Sequence, residues 1–265
     1  MNPMFFGQSE SPLYGLYHSP QSSSRNEGVV LCYPFGQEYM RAHRAFRQLA
    51  LLLTKKGYHV LRFDFRGTGD SSGSMDDVEA EHWLRDIDDA VAELRETASV
   101  DRISVVGLRL GALFAAHACS GRTDIERLVV WDPVLSGELY EKELLEEIAT
   151  DAPSEYDVSH GNEMAGDGTL HFNGFSMSAR FRESIKGLSL MGSIPSSVPK
   201  LLHVVSVETD QVSQLREAWR GHPGYRYQYV PAPHDWNEVD NFGGILLPQA
   251  VIQAIVNWLE AQQRP

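Results

Sequence analysis

Along this chain, short apolar runs alternate with stretches in which apolar residues recur every three or four positions. Runs at residues 28–33, 58–63, 103–106, 127–131, 201–207 and 225–230 are strand-forming. The first is continuously apolar, as a strand buried on both faces of a sheet requires. Between the runs the spacing turns helical. Phe46, Leu49, Leu52 and Leu53 share one face of a helix expected over 41–56, and Gly57 follows as its stop. Leu84, Ile87, Val91 and Leu94 stripe the next helix. Ser74 with Asp77 reads as the capping box that opens it, and Asp76, Asp77 and Glu79 crowd a first turn where the helix dipole favours acids. Aromatic, β-prone pieces at 4–7 and 13–18 read as a leading antiparallel pair. Val251, Ile255 and Leu259 mark a closing amphipathic helix, and a further helix is expected near 211–220.

Strands alternating with helices predict an α/β fold, a mostly parallel sheet of about eight strands flanked by helices. The pattern fails between residues 136 and 197. There the chain has an acidic stretch at 138–147, a Gly-rich polar stretch at 160–174 and a short helix near 179–186. That is too long for a connection inside a compact domain. The expected organisation is therefore a core of residues 1–133 and 199–265, with a cap or lid inserted at 134–198.

In such sheets ligands bind beyond the carboxyl ends of the strands. Pro34-Phe35-Gly36, Arg109, Asp132, Asp210 and His234 all follow strand ends, so they are expected to converge on one cleft beneath the insertion. The most informative stretch is Gly107-Leu108-Arg109-Leu110-Gly111, which leads from a strand through a tight turn into a helix. Its glycines sit two residues either side of the centre, as in the strained nucleophile elbow G-x-S-x-G. Here the central residue is arginine.

Composition alters this picture in a few places. The 265 residues, 42% of them hydrophobic, suit one α/β domain with an insertion. A formal net charge of −13 argues against nucleic acid as the main partner while leaving room for a local basic pocket. Cys32 and Cys119 lie in apolar surroundings and read as buried reduced thiols, which suits a cytoplasmic protein. The first residues have no basic region followed by an apolar one, and no long apolar stretch follows, so neither a signal peptide nor a membrane span is expected. No Cys/His group has metal-ligand spacing and no Gly-rich loop matches a phosphate fingerprint, so no metal or cofactor is expected.

Several segments together resemble a known family. They are residues 3–18, Pro34-Phe35-Gly36-Gln37-Glu38-Tyr39-Met40-Arg41, Asp64-Phe65-Arg66-Gly67-Thr68-Gly69-Asp70-Ser71, the elbow glycines, and the order Asp210 then His234. The chain resembles the α/β-hydrolase superfamily over nearly its whole length, in the serine aminopeptidase-like branch. More narrowly it is similar to the small hydrolase-like proteins associated with exosortase and exopolysaccharide gene clusters. The resemblance implies a nucleophile, acid and histidine in chain order, with His234 as the histidine, Asp210 as the acid and Asp132 as the runner-up acid. It also implies an oxyanion hole from the N–H of Leu110 and a second N–H near Phe35 or Gly36. Arg109 departs from the pattern, because a guanidinium has no accessible deprotonated form and cannot attack a carbonyl.

Several roles for Arg109 stay open. At a helix N-terminus it could clamp an anionic group. His234, polarised by Asp210, would then act as general base on an acyl, ester or thioester substrate, either a small molecule or carrier-bound. Alternatively the fold was kept and the chemistry lost, leaving a binding or regulatory module of a polysaccharide, export or biosynthetic system. A third reading moves the nucleophile to Cys32 or Ser136. In a fourth, Arg109 pairs with an acid of the insertion, such as Glu138 or Glu141. Asp64 and Arg66 read as residues holding a turn. Arg41, His43 and Arg44 either extend an anion site or form an exposed helix face. A homodimer is compatible with the sequence.

Overall fold

The structure, a computed structural model, describes residues 1–150, 163–192, 194–236 and 246–261. Strands β1 (Asn2–Phe6) and β2 (Leu13–His18) pair antiparallel, as their aromatic, β-prone sequences predict. Then come β3 (Glu27–Cys32), α1 (Gln37–Lys55), β4 (His59–Phe63), α2 (Ala80–Ala98), β5 (Arg102–Leu108), α3 (Leu110–Cys119) and β6 (Ile125–Trp131). The segment that follows carries α4 (Gly137–Thr150), the short strands β7 (Glu163–Met164), β8 (Leu170–Phe172) and β9 (Phe175–Met177), and α5 (Ala179–Ile185). The sheet resumes with β10 (Lys200–Val205), α6 (Asp210–Trp219), β11 (Tyr225–Tyr229) and α7 (Gln249–Ala261). Eight strands join in the order β1-β2-β4-β3-β5-β6-β10-β11, with every pair from β4 to β11 parallel. β7, β8 and β9 form a separate small antiparallel sheet. Among the described residues no helix is long and apolar enough to cross a membrane.

The central strands β3, β4, β5, β6 and β10 are buried on both sheet faces almost throughout, which is why their sequence does not alternate. One face packs against α1 and α7 through Phe46, Leu49, Trp131, Val251 and Ile255. The other packs against α2 and α3 through Trp83, Ile87, Val91, Leu113 and Phe114. On this second side the rings of Phe35, Trp83, Phe172 and Phe181 meet at centroid distances of 4.7–6.0 Å, which ties the β8–α5 region to the sheet.

Three boundaries differ from the sequence reading. α1 begins at Gln37, earlier than 41, because Gly36 takes φ +62° and turns the chain directly from β3 into the helix. That places Glu38 and Tyr39 on the helix. The Ser74 side chain caps a 3-10 turn, Met75–Asp77, and not α2. α2 starts three residues later, where Glu79 and His82 satisfy each other's backbone N–H groups. The acidic stretch 138–147 is helical: Tyr140 and Leu144, four apart, are buried beneath its charges. Part of the Gly-rich stretch 160–174 and of the expected cap lies outside the described residues.

Candidate active site

Two close backbone contacts set the turn from β5 into α3. A Cβ on Gly107 would fall 2.4 Å from the Gly111 carbonyl oxygen, and one on Gly111 would fall 2.3 Å from that of Tyr33. Only glycine fits at either position, so α3 can lie against β3 and β5. Between them Arg109 is held at φ +51°, ψ −121°, outside the regions that side-chain-bearing residues favour. Its N–H donates to the Trp131 carbonyl at 3.0 Å, locking the turn against β6. The elbow geometry is present, with an arginine at its apex.

The guanidinium is already engaged. Nε donates to Glu38 Oε1 at 2.8 Å and a terminal nitrogen donates to Glu143 Oε2 at 2.6 Å. Glu38 is fully buried on α1, and its second oxygen accepts from the Tyr140 hydroxyl at 3.2 Å. Burial disfavours the charged guanidinium, but the two carboxylates outweigh it and leave its pKa raised. Burial raises the Glu38 pKa, against the pull of Arg109. Arg109 thus links α3 to α1 on one side and to α4 on the other. Glu141, a partner considered from sequence, instead holds Arg182 and Lys186.

The expected acid and histidine do not meet among the described residues. Asp132, at φ +41°, accepts from the Ser206 N–H at 2.6 Å, the Ser206 hydroxyl at 2.8 Å and the Trp236 indole N–H at 3.2 Å. Those three donors hold its carboxylate against β10. Asp210 is exposed as the first residue of α6. His234 is exposed, and its Nδ1 lies 3.2 Å from the carbonyl of Ala232 in its own loop.

A cleft of about 470 Å³ opens where β3 turns into α1. Its walls include Phe35 and Gly36 of the expected oxyanion loop, Tyr39, the Gly67-Thr68-Gly69 turn, and Phe175. Gly36 is needed here, since a Cβ would sit 2.9 Å from the Phe172 ring. Arg109, Leu110, Asp132, Asp210 and His234 do not line the cleft. Of the residues expected to converge, Pro34, Phe35 and Gly36 line this cleft. Leu110 is fully buried beneath the elbow.

Other groups are taken up structurally. Cys32 and Cys119 are free and buried; burial raises both thiols, Cys119 to about 12, so neither supplies a thiolate. The Ser136 hydroxyl accepts from the Leu139 N–H at the start of α4. Arg66 binds Asp86, and Asp64 accepts from the Asp70 N–H, as turn-holding residues would. Among the described residues no group of His, Cys, Asp or Glu is placed to hold a metal. Sequence reasoning missed Glu38, Tyr140 and Glu143. The available signal was an acid two residues after Gly36, inside a motif next to an arginine that needed a partner.

Among solved structures, similar ones include an esterase from Pyrococcus furiosus, with 19% identity, TM-score 0.69, and 98% of this chain and 90% of that chain covered. Est1E from Butyrivibrio proteoclasticus, solved with ferulic acid bound, has 15% identity, TM-score 0.66 and 98% coverage of each chain. Alpha/beta hydrolase domain-containing protein 10 from mouse has 15% identity and TM-score 0.60, covering 99% of this chain and 98% of that one. At these identities the likeness shows the fold, an eight-stranded α/β-hydrolase sheet. No curated protein matches the sequence. The family described as serine aminopeptidase, S33, matches residues 28–161, just over half the chain. By that match, and by the sheet and elbow that frame it, this chain belongs to the serine aminopeptidase S33 family of the α/β-hydrolase superfamily.

Proposed function

We propose that this chain takes an acyl ester or thioester into the cleft where β3 turns into α1 and handles it without forming an acyl-enzyme. The observation that carries the reading is the pairing of Arg109 with Glu38 and Glu143 at the elbow apex. A guanidinium shared by two carboxylates neither attacks a carbonyl nor leaves a covalent adduct. Hydrolysis is then confined to attack by water. His234, whose imidazole is exposed, is the general base of this reading, with Asp210 or Asp132 as its acid once the loop that carries it closes on ligand. In this reading residues 134–198 act as the cap. An anionic group on the substrate would have to take the place of Glu143, the more exposed of the two acids on Arg109. On its motifs we place the chain with the exosortase-associated hydrolase-like proteins, acting in the cytoplasm in a polysaccharide or export system.

The test compares wild type with His234→Ala on a panel of aryl esters and acyl thioesters, alongside labelling by a fluorophosphonate probe. Wild type is expected to stay unlabelled and to show no burst. Its steady turnover should fall about 10²-fold or more in His234→Ala. A labelled serine in wild type would overturn the reading. The second reading, a ligand-binding module without turnover, is favoured by the contact of His234 with Ala232 and with neither acid. It predicts saturable ester binding by calorimetry with no product formed by either protein.

A further inference from the structure

Tyr39 separates the main cleft from a second one of about 150 Å³. Arg62, on β4, lines this second cleft and is only 2% exposed. Its contacts are neutral groups. Nε donates to His18 Nε2 at 3.0 Å, one terminal nitrogen donates to the Tyr33 hydroxyl at 2.7 Å, and the other lies 3.8 Å from the Met1 sulfur. Burial, and then Arg62 itself, lower the His18 pKa to about 4, so at neutral pH it is an uncharged acceptor. Other inward-facing arginines differ: Arg127 holds Glu27 at 3.0 Å and Arg66 holds Asp86 at 2.7 Å. For Arg62 no carboxylate lies within ion-pair distance among the described residues. A guanidinium has five N–H donors. The three contacts leave one on each terminal nitrogen, the pair that binds a carboxylate side by side. A buried cation without a counter-charge is costly.

The same cleft also carries the opposite sign. Asp64 is 7% exposed and accepts from the Tyr39 hydroxyl at 2.9 Å and the Asp70 N–H at 3.1 Å. Asp70 itself is exposed, as is His43, whose ring stacks on Tyr33, and both line the cleft. Unlike charges therefore line one small cleft without touching. A bare anion on Arg62 would face two carboxylates, and a bare cation on the aspartates would face Arg62. The space equals that of about five waters at ~30 Å³ each. The geometry points to a site for a small zwitterion, an α-amino acid the size of glycine, alanine or serine. Its carboxylate takes the two remaining N–H groups of Arg62 and its ammonium faces Asp64 and Asp70. The site is independent of the elbow chemistry and shares only the Tyr39 wall with it.

The test is calorimetric titration of the full chain with L-alanine, and separately with acetate and ethylammonium as its two halves. Alanine should saturate, and each half should bind about tenfold more weakly or worse. Arg62→Gln should abolish alanine binding, with circular dichroism confirming the fold. Should Arg62→Gln fail to fold, Asp70→Asn decides, because that side chain is exposed: it should weaken alanine about tenfold and leave acetate no weaker, since one repelling charge is gone. No alanine heat at tens of millimolar would overturn the proposal. So would acetate binding as tightly as alanine with Asp70→Asn without effect, which would reduce the site to a simple anion pocket.

Discussion

Arg109 is where residue chemistry and fold part company. Its backbone holds the strained turn of a hydrolase elbow, while its side chain does the work of a cross-link between α1, α3 and α4. Glu38 gives that link its stake in stability, because it is fully buried and charged only in company. Arg109→Ala should therefore cost about 3–5 kcal/mol, the price of stranding a buried carboxylate. Adding Glu38→Gln to that variant should recover a large part of the loss. Urea denaturation of the four proteins in the cycle measures the coupling, and additive effects would contradict the pairing. That Arg109 could not be a nucleophile was legible in the sequence from the chemistry of guanidinium. Its partners were not, since they lie 71 and 34 residues away and reach it only through the crossings of α1 and α4. Asp132, the runner-up acid, is held by Ser206 and Trp236, while His234 contacts Ala232 in its own loop, pairings that only the folded chain reveals.

At the scale of elements, the strands were the most legible part. Their apolar runs follow directly from burial on both sheet faces, and the β5–α3 turn follows from its glycines. Gly111→Ala tests that turn. The added methyl would press into the Tyr33 and Cys32 carbonyls, at 2.3 and 2.5 Å, and backbone there cannot swing aside. A loss of about 3 kcal/mol is expected in denaturant, with poor expression at growth temperature. An unchanged midpoint would mean that α3 does not sit so close. Boundaries were less legible where two signals competed. Ser74 carries a sound capping pattern but spends it on a 3-10 turn, because the actual helix start pairs Glu79 with His82. Helix α4 was obscured because its charges outnumber the two buried residues that make it amphipathic.

For the molecule as a whole, acid sensitivity follows from two histidines held neutral. His203, fully buried on β10 beside the Tyr225 hydroxyl, is lowered by burial to about 3, and His18 to about 4. Both start from 6.5 when unfolded, so on acidification the unfolded chain takes up these protons first. Their stabilisation is complete above pH 6.5 and is lost as pH falls toward those lower values. Each should cost about 1.4 kcal/mol per pH unit in that window. Glu38, Asp64 and Asp86, raised by burial, work in the opposite sense, because on acidification the folded chain takes up their protons first. Denaturation of wild type and His203→Phe at pH 7 and pH 5 isolates the histidine contribution: wild type should lose the more stability, and parallel losses would refute it. A mostly parallel sheet of about eight strands could be foreseen from strand spacing, while the order of its strands could not. The two clefts could not be foreseen either, because their walls, such as Tyr39 and Phe175 of the larger one, come from segments far apart in sequence.

The strained turn at Arg109 has a consequence for engineering. A serine placed there would inherit the same backbone conformation, but that single exchange leaves the buried Glu38 carboxylate without its cation. Installing a nucleophile at this elbow therefore calls for a second change at Glu38. The ion cluster couples the residue at the apex to its neighbour on α1, so the two positions are best exchanged as a pair.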